Sequence, residues 1–175
     1  MAKDDKNNII TVDPSGKLFW RGKEYRCALG NGGVRADKHE GDGATPAGCF
    51  PLRKVLYRAD RIPKPKTKLS VRALANNDGW CDETNDPAYN KSVVLPFLKS
   101  HEALWRDDHV YDLIVVVGYN DDPPIPGKGS AIFMHVAREG YSATAGCIAL
   151  AKDDLLEILK TVTETALLCI RSAQS

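Results

Sequence analysis

The sequence predicts a mostly β chain, a β-rich α+β class with a few short helices, on three observations. Gly and Pro are plentiful, at 14 and 10 of 175 residues, which suits strands and turns rather than a helical bundle. Short alternating or β-branched runs, punctuated by turn signals, recur along the chain. Only a few segments carry a helical pattern.

The elements follow in order. Asn8 to Val12 alternates weakly, and Asp13-Pro14-Ser15-Gly16 is a strong turn signal. Lys17 to Trp20 is a second strand, Arg21-Gly22-Lys23 a tight turn, and Glu24 to Leu29 a third strand, so this region reads as a β-meander. Gly30-Asn31-Gly32-Gly33 breaks it. Val34 to Gly48 is a long, polar, Gly-rich loop, of the kind that is functional or merely a solvated tip. Cys49 to Tyr57 resumes a strand. Arg58 to Lys68 is a basic, Pro-rich surface loop, and Lys68 to Ala75 a further strand. Asn76 to Asn90 is a second long polar loop. Its acids Asp82, Glu83 and Asp86 lack the spacing of a calcium loop. Ser100 to Arg106 reads as a short capped helix. Asp112 to Tyr119 is apolar at both parities, hence a central, buried strand. Asn120 to Gly129 is a loop, and Ser130 to His135 a second central strand. Ile148 to Leu150 is a short buried segment. Asp153 to Lys160 is a helix with acids early and a lysine late, matching the helix dipole. Thr165 to Arg171 closes the chain as a strand.

The length suits one domain over residues 1–175, with no repeat or linker. Net charge is +1, with 24 basic and 23 acidic residues interspersed. This balance argues against a generic nucleic-acid binder. Five cysteines, Cys27, Cys49, Cys81, Cys147 and Cys169, are widely spaced with no Cys-x-x-Cys pair. A zinc ribbon or a dense disulfide framework is therefore disfavoured. The odd count leaves at least one free thiol in a monomer. Residues 1–8 are polar and read as poorly ordered. They lack the apolar core of a signal peptide, and no run is long enough to span a bilayer. Cytoplasmic residence, a removed leader and another export route all fit that pattern.

The chemistry concentrates in Phe133 to Leu150. His135 closes an apolar run, a Ser/Thr/Gly-rich turn follows, and Cys147 stands between that turn and another apolar run. A thiol attacks well only as thiolate, and a nearby imidazole can take its proton. Gly146 frees the backbone to bend just before the sulfur. Cys147 is thus read as a nucleophile and His135 as its base. The competing reading is a buried structural thiol and a core histidine. The polar turn and the glycine weigh against it. The histidines His39, His101, His109 and His135 show no metal-ligand spacing.

The pattern His135…Ser142-x-Thr144-Ala145-Gly146-Cys147-Ile148 resembles the His…Ser-x-Gly-Cys signature of the L,D-transpeptidase (YkuD-type) catalytic domain. Gly41 to Leu52, with Thr45-Pro46-Ala47-Gly48-Cys49-Phe50, resembles that family's Thr-Pro-x-Gly-x-Phe segment, and the two lie in the family's order. The Gly-Cys-Ile-Ala-Leu run is similar to that of a branch of small proteobacterial members.

The resemblance implies an L,D-transpeptidase-like β-sandwich or barrel. It implies a cysteine acyl transferase acting on peptidoglycan stem peptides, making 3-3 or unusual 1-3 cross-links, with neither metal nor cofactor. Cys147 would be nucleophile, His135 base, the Val136 backbone carbonyl the orienting group, and Gly146 the bend before the sulfur. Family members often carry Arg two residues after the cysteine, where this chain has Ala149. Arg138, Arg106, Arg35 and Lys38 are candidate replacements. Ser142, Thr144, Tyr89, Trp80, Ser130, Asn120 and Tyr111 are candidate wall residues, each equally explained as a structural anchor. The family's location is the periplasm or cell envelope. The competing functions are an L,D-carboxypeptidase or endopeptidase, including an exported antibacterial effector, and a non-catalytic peptidoglycan-binding module. A zinc hydrolase is a further class. The sequence leaves the oligomeric state open.

Overall fold

The computed structural model describes residues 8–173. The expectation for the N-terminal segment therefore falls outside the described residues up to residue 7. Asn8 is held in place: its amide donates to the Thr165 hydroxyl at 2.8 Å and its carbonyl oxygen accepts from the Thr163 hydroxyl at 2.6 Å.

Strand accounts for 36% and helix for 8%, so the chain is mostly β. The meander forms as β1 (Ile9–Asp13), β2 (Lys17–Trp20) and β3 (Lys23–Ala28), with β1–β2 and β2–β3 antiparallel. The Gly-rich segment after it contains a two-residue parallel pair, β4 (Val34–Arg35) and β5 (Thr45–Pro46). The long β6 (Gly48–Tyr57) pairs through its first half with the last strand of the chain and through its second half with a central one. Then come β7 (Val71–Ala73), β8 (Asp78–Cys81), β9 (Ser92–Val94), β10 (His101–Ala103), β11 (Leu113–Val117), β12 (Phe133–Val136), β13 (Ile148–Leu150), α1 (Lys152–Thr161) and β14 (Leu167–Ile170).

The main sheet runs β11-β12-β13-β3-β2-β1-β14-β6-β7, and an added β11–β6 pairing closes it on itself. Inside lie Ile10, Val12, Leu18, Val55, Met134, Ile148 and Leu150, with Leu155, Ile158 and Leu159 of α1. The helix positions recur at i, i+3 and i+4, so one stripe faces the sheet.

β11 and β12 are buried on both faces, which is why they read as continuous apolar runs. Leu113, Val115, Val117, Met134 and Val136 join that interior. Ile114, Val116 and Phe133 point the other way, into a second cluster with Leu104, Trp80, Tyr111 and Cys147. A small sheet, β10-β8-β9, covers this second face. Since strand side chains alternate, His135 shares the face of Phe133.

Two expectations are corrected. Ser100 to Arg106 is not a helix: His101–Ala103 is β10, pairing antiparallel with Cys81, Trp80 and Gly79 of β8. Leu104 is buried by that pairing, which outweighs a weak local helix signal. The polar loop Asn76 to Asn90 contains β8, anchored by buried Trp80 and Cys81. The thiols include one cross-link, Cys49–Cys169, between directly opposed residues of β6 and β14. Cys27, Cys81 and Cys147 are free. No described helix is long and apolar enough to cross a membrane.

Candidate active site

β12 and β13 run parallel, with Met134 opposite Ile148 and His135 opposite Ala149. Cys147 immediately precedes β13, so it reaches the same covered face as His135 and Phe133. The turn that delivers it is built around Thr144. The Thr144 hydroxyl donates to the Cys147 carbonyl at 2.7 Å and accepts from the Gly146 N–H at 3.1 Å. The Thr144 backbone ties to the end of the meander, its N–H reaching Leu29 O and its carbonyl accepting from Asn31 N, each at 2.9 Å. Gly146 has φ +132°, and a Cβ there would stand 2.7 Å from the Ala44 carbonyl oxygen. Only glycine suits that backbone and that approach.

Cys147 Sγ lies between two backbone groups. It donates to Ala131 O at 3.3 Å and accepts from Phe133 N at 3.4 Å. The His135 ring donates from Nδ1 to Val136 O at 2.9 Å, because a carbonyl can only accept. Nε2 is then the proton-accepting nitrogen. The Tyr111 ring meets the His135 ring edge-on, with centroids 5.3 Å apart.

Among the described residues no hydrogen bond joins Sγ to the imidazole, and both groups rest neutral. Burial, reinforced by the charge of Glu102, pushes the Cys147 thiol up to about 12; the Phe133 N–H and Lys38 oppose it only in part. Burial also lowers His135 to about 4, with Arg138 and Arg106 adding to it against the Val136 hydrogen bond. A standing thiolate–imidazolium pair is therefore not the resting state.

Both side chains line one cavity of about 570 Å³, together with Lys38, Glu40, Asp42, Asp82, Glu102, Arg106, Tyr111, Ser130, Arg138 and Thr144. The lining is strongly charged. Lys38, only 4% exposed, bonds Asp42 at 2.7 Å. Burial alone would raise the Asp42 carboxyl, but hydrogen bonds from the His39 N–H, Lys38 and the Ala44 N–H hold it at about 2. Arg106 grips Asp108 through two nitrogens at 2.8 and 2.6 Å, and this pairing raises Arg106. Ser130 donates to Glu40 at 2.9 Å.

Of the candidate wall residues, Ser130, Thr144 and Tyr111 line the cavity. Trp80, Tyr89, Asn120 and Ser142 do not. Trp80 packs edge-on against Phe133 and donates to Asn90 Oδ1 at 3.0 Å. Tyr89 is buried and donates to Glu40 at 2.6 Å, behind the lining. Asn120 ties its own loop together through Ile125 and Gly129. Ser142 lies on the turn outside the cavity. Of the candidate cations, Lys38, Arg106 and Arg138 reach the lining and Arg35 does not.

Sequence reasoning did not single out Asn90, Glu102, Glu40 or Asp42. Asn90 donates to Tyr119 O and Asn120 O and accepts from Trp80 Nε1 and the Ala131 N–H. It thereby fixes Ala131, whose carbonyl receives the Cys147 thiol. Its only sequence signal is its type: asparagine tolerates the positive φ, +56°, found there. Among the described residues, no three His, Cys, Asp or Glu side chains converge as a metal cage.

Residues 7–168 match the profile of YkuD, the L,D-transpeptidase catalytic domain. A search of curated proteins returns no match. Among solved structures, the chain is similar to the helical cell shape determining protein Pgp2 from Campylobacter jejuni (K307A mutant). The two share 14% identity at a TM-score of 0.47, over 95% of this chain and 47% of that one. It is also similar to an L,D-transpeptidase from Mycobacterium smegmatis, with 14% identity and a TM-score of 0.43, over 95% of this chain and 59% of that one. The chain thus spans about half the length of these solved chains. The match over residues 7–168 shows that the chain belongs to the YkuD family of L,D-transpeptidase catalytic domains.

Proposed function

We propose that this chain is a cysteine acyl transferase of peptidoglycan stem peptides, working in the cell envelope and making L,D cross-links of the 3-3 or 1-3 kind. The observation that carries the reading is the delivery of one thiol and one imidazole, from adjacent parallel strands, into a single charged cavity.

In the first half-reaction a donor peptide carbonyl settles beside Sγ. Neutral Cys147 passes its proton to Nε2 of His135 as the sulfur attacks, so charge develops only with bond formation. The Cys147 N–H and a neighbouring backbone N–H hold the oxyanion, a contribution of roughly 3 kcal/mol per donor. Collapse breaks the C–N bond, His135 returns the proton to the leaving amine, and a thioester remains. In the second half-reaction an acceptor amine attacks the thioester and His135 takes its proton. The C–S bond breaks and the thiol is restored as the new amide forms. Base catalysis of this kind contributes ~10²–10⁴-fold. Val136 O keeps the imidazole in the tautomer that the steps require. Lys38, Arg106 and Arg138 offer partners for stem-peptide carboxylates in place of the arginine absent at Ala149, and the acids of the lining suit an amine.

The test is incubation with purified muropeptides, with products resolved by mass. Cross-linked dimers are expected. Trimmed monomers alone would replace transfer by hydrolysis, and unaltered muropeptides would leave a binding module.

A further inference from the structure

Glu102, a half-buried acid of the cavity lining, takes no part in the proton transfers of the proposed steps. It sits on β10, opposite Trp80 of β8, in the small sheet that covers the site. Its carboxylate accepts a hydrogen bond from the Tyr111 hydroxyl. Tyr111 is itself held on three sides. Its ring meets His135 edge-on at 5.3 Å and Phe133 at 5.9 Å, and the Arg106 guanidinium lies 5.3 Å from its centre. Phe133 in turn supplies the N–H that bonds Cys147 Sγ.

We propose that Glu102 is a positioning residue for the candidate pair: through Tyr111 it fixes the His135 ring, and it turns a negative charge toward Cys147. The inference rests on the reading of Cys147 as nucleophile.

The charged surroundings are few enough to name. Facing Glu102 are Tyr111, Arg106, Asp82 and Cys147. Facing Cys147 are Glu102, Lys38 and the Phe133 N–H. Facing His135 are Arg138, Arg106 and Asp108. Among these, Glu102 is the carboxylate acting on the thiol, and it disfavours the thiolate. Burial raises Glu102 as well, against the Tyr111 hydrogen bond and Arg106. A half-buried carboxyl and a buried thiol that oppose each other's ionisation cannot both be charged cheaply. Neutralising Glu102, by a proton or by a cation seated against it, removes its share of the barrier to the thiolate and leaves the larger share that burial imposes. The arrangement keeps an idle nucleophile unreactive while holding its base in place.

Three variants separate the two roles. Glu102→Gln keeps the Tyr111 hydrogen bond through its amide oxygen and removes the charge. Glu102→Asp keeps the charge on a shorter arm. Tyr111→Phe keeps the ring and removes the hydroxyl. The first readout is iodoacetamide labelling of Cys147 against pH, mapped by mass spectrometry to separate it from Cys27 and Cys81. Below its pKa a thiol gains about tenfold in thiolate for each unit by which that pKa falls. Glu102→Gln is expected to label roughly fivefold or more faster at fixed pH, and Glu102→Asp to label near the wild-type rate. The second readout is the NMR signal of the His135 ring, expected to shift in Tyr111→Phe. If Glu102→Gln does not fold, Tyr111→Phe decides the positioning half alone.

Labelling of Glu102→Gln within twofold of wild type at every pH overturns the proposal, as does an unmoved His135 signal in Tyr111→Phe. Cys147 unlabelled in every variant up to pH 10 overturns it too, since there is then no reactivity to govern. A Cys147 thioester that still forms alongside such failures leaves the transferase reading standing. A shifted labelling profile without any thioester removes that reading and keeps only the coupling.

Discussion

The imidazole of His135 donates through Nδ1 to the carbonyl of Val136, its own neighbour in the chain, at 2.9 Å. That bond fixes a neutral tautomer, and burial lowers the ring to about 4 from an ordinary 6.5. A depressed histidine stabilises the fold only while it is neutral. Its contribution is full above pH 6.5, is lost progressively as pH falls to about 4, and stays lost below. The loss amounts to about 3 kcal/mol. Urea unfolding between pH 7 and 4 should show that decline in wild type and a flatter profile in His135→Gln. Equal slopes would contradict the burial argument.

Gly146 places the thiol. Its φ of +132° and the 2.7 Å from a would-be Cβ to Ala44 O leave no room for a side chain. Gly146→Ala should cost roughly 1–3 kcal/mol of stability. It should also displace Cys147 from Ala131 and Phe133, and so lower muropeptide turnover at least tenfold. Thermal melts and product assays on the same preparation check both.

Asn90, 5% exposed, satisfies four groups, and removing its side chain leaves all four without that partner. Asn90→Ala should destabilise by roughly 2–4 kcal/mol. Asn90→Asp keeps the oxygen for Trp80 and Ala131 but loses both donated bonds, so an intermediate loss is expected. Chemical denaturation of the three proteins gives the order.

The Cys49–Cys169 bond joins strands 120 residues apart in sequence. Denatured, unreduced protein should titrate three thiols, and reduced protein five. Cutting so long a loop should cost about 2–5 kcal/mol, read as a lower urea midpoint in Cys49→Ser with Cys169→Ser.

How much of this was legible in the sequence depended on range. β2 and α1 announced themselves because turn residues and helix-end charges act over a few positions, while the apolar run Ile148 to Leu150 showed its burial but not its strand. Both-face burial of β11 showed in its unbroken apolar run. Ser100 to Arg106 misled because its strand character comes from pairing with Gly79 to Cys81, about twenty residues away. The disulfide needed the β6–β14 register. The shared face of His135 and Cys147 could be read from a histidine ending one strand and a glycine bend starting the next. The resting neutrality of that pair could not, since it follows from burial and from Glu102, which arrives on a strand no local pattern revealed.

The most direct measurement is capture of the acyl-enzyme. Wild type, Cys147→Ala and His135→Gln are mixed with stem-peptide substrate, quenched in acid, and mapped by mass spectrometry. A thioester on Cys147 alone, absent in Cys147→Ala and forming at least ~10²-fold more slowly in His135→Gln, is the predicted result. Product formation undiminished in Cys147→Ala, or an adduct on Cys27 or Cys81 instead, would contradict it.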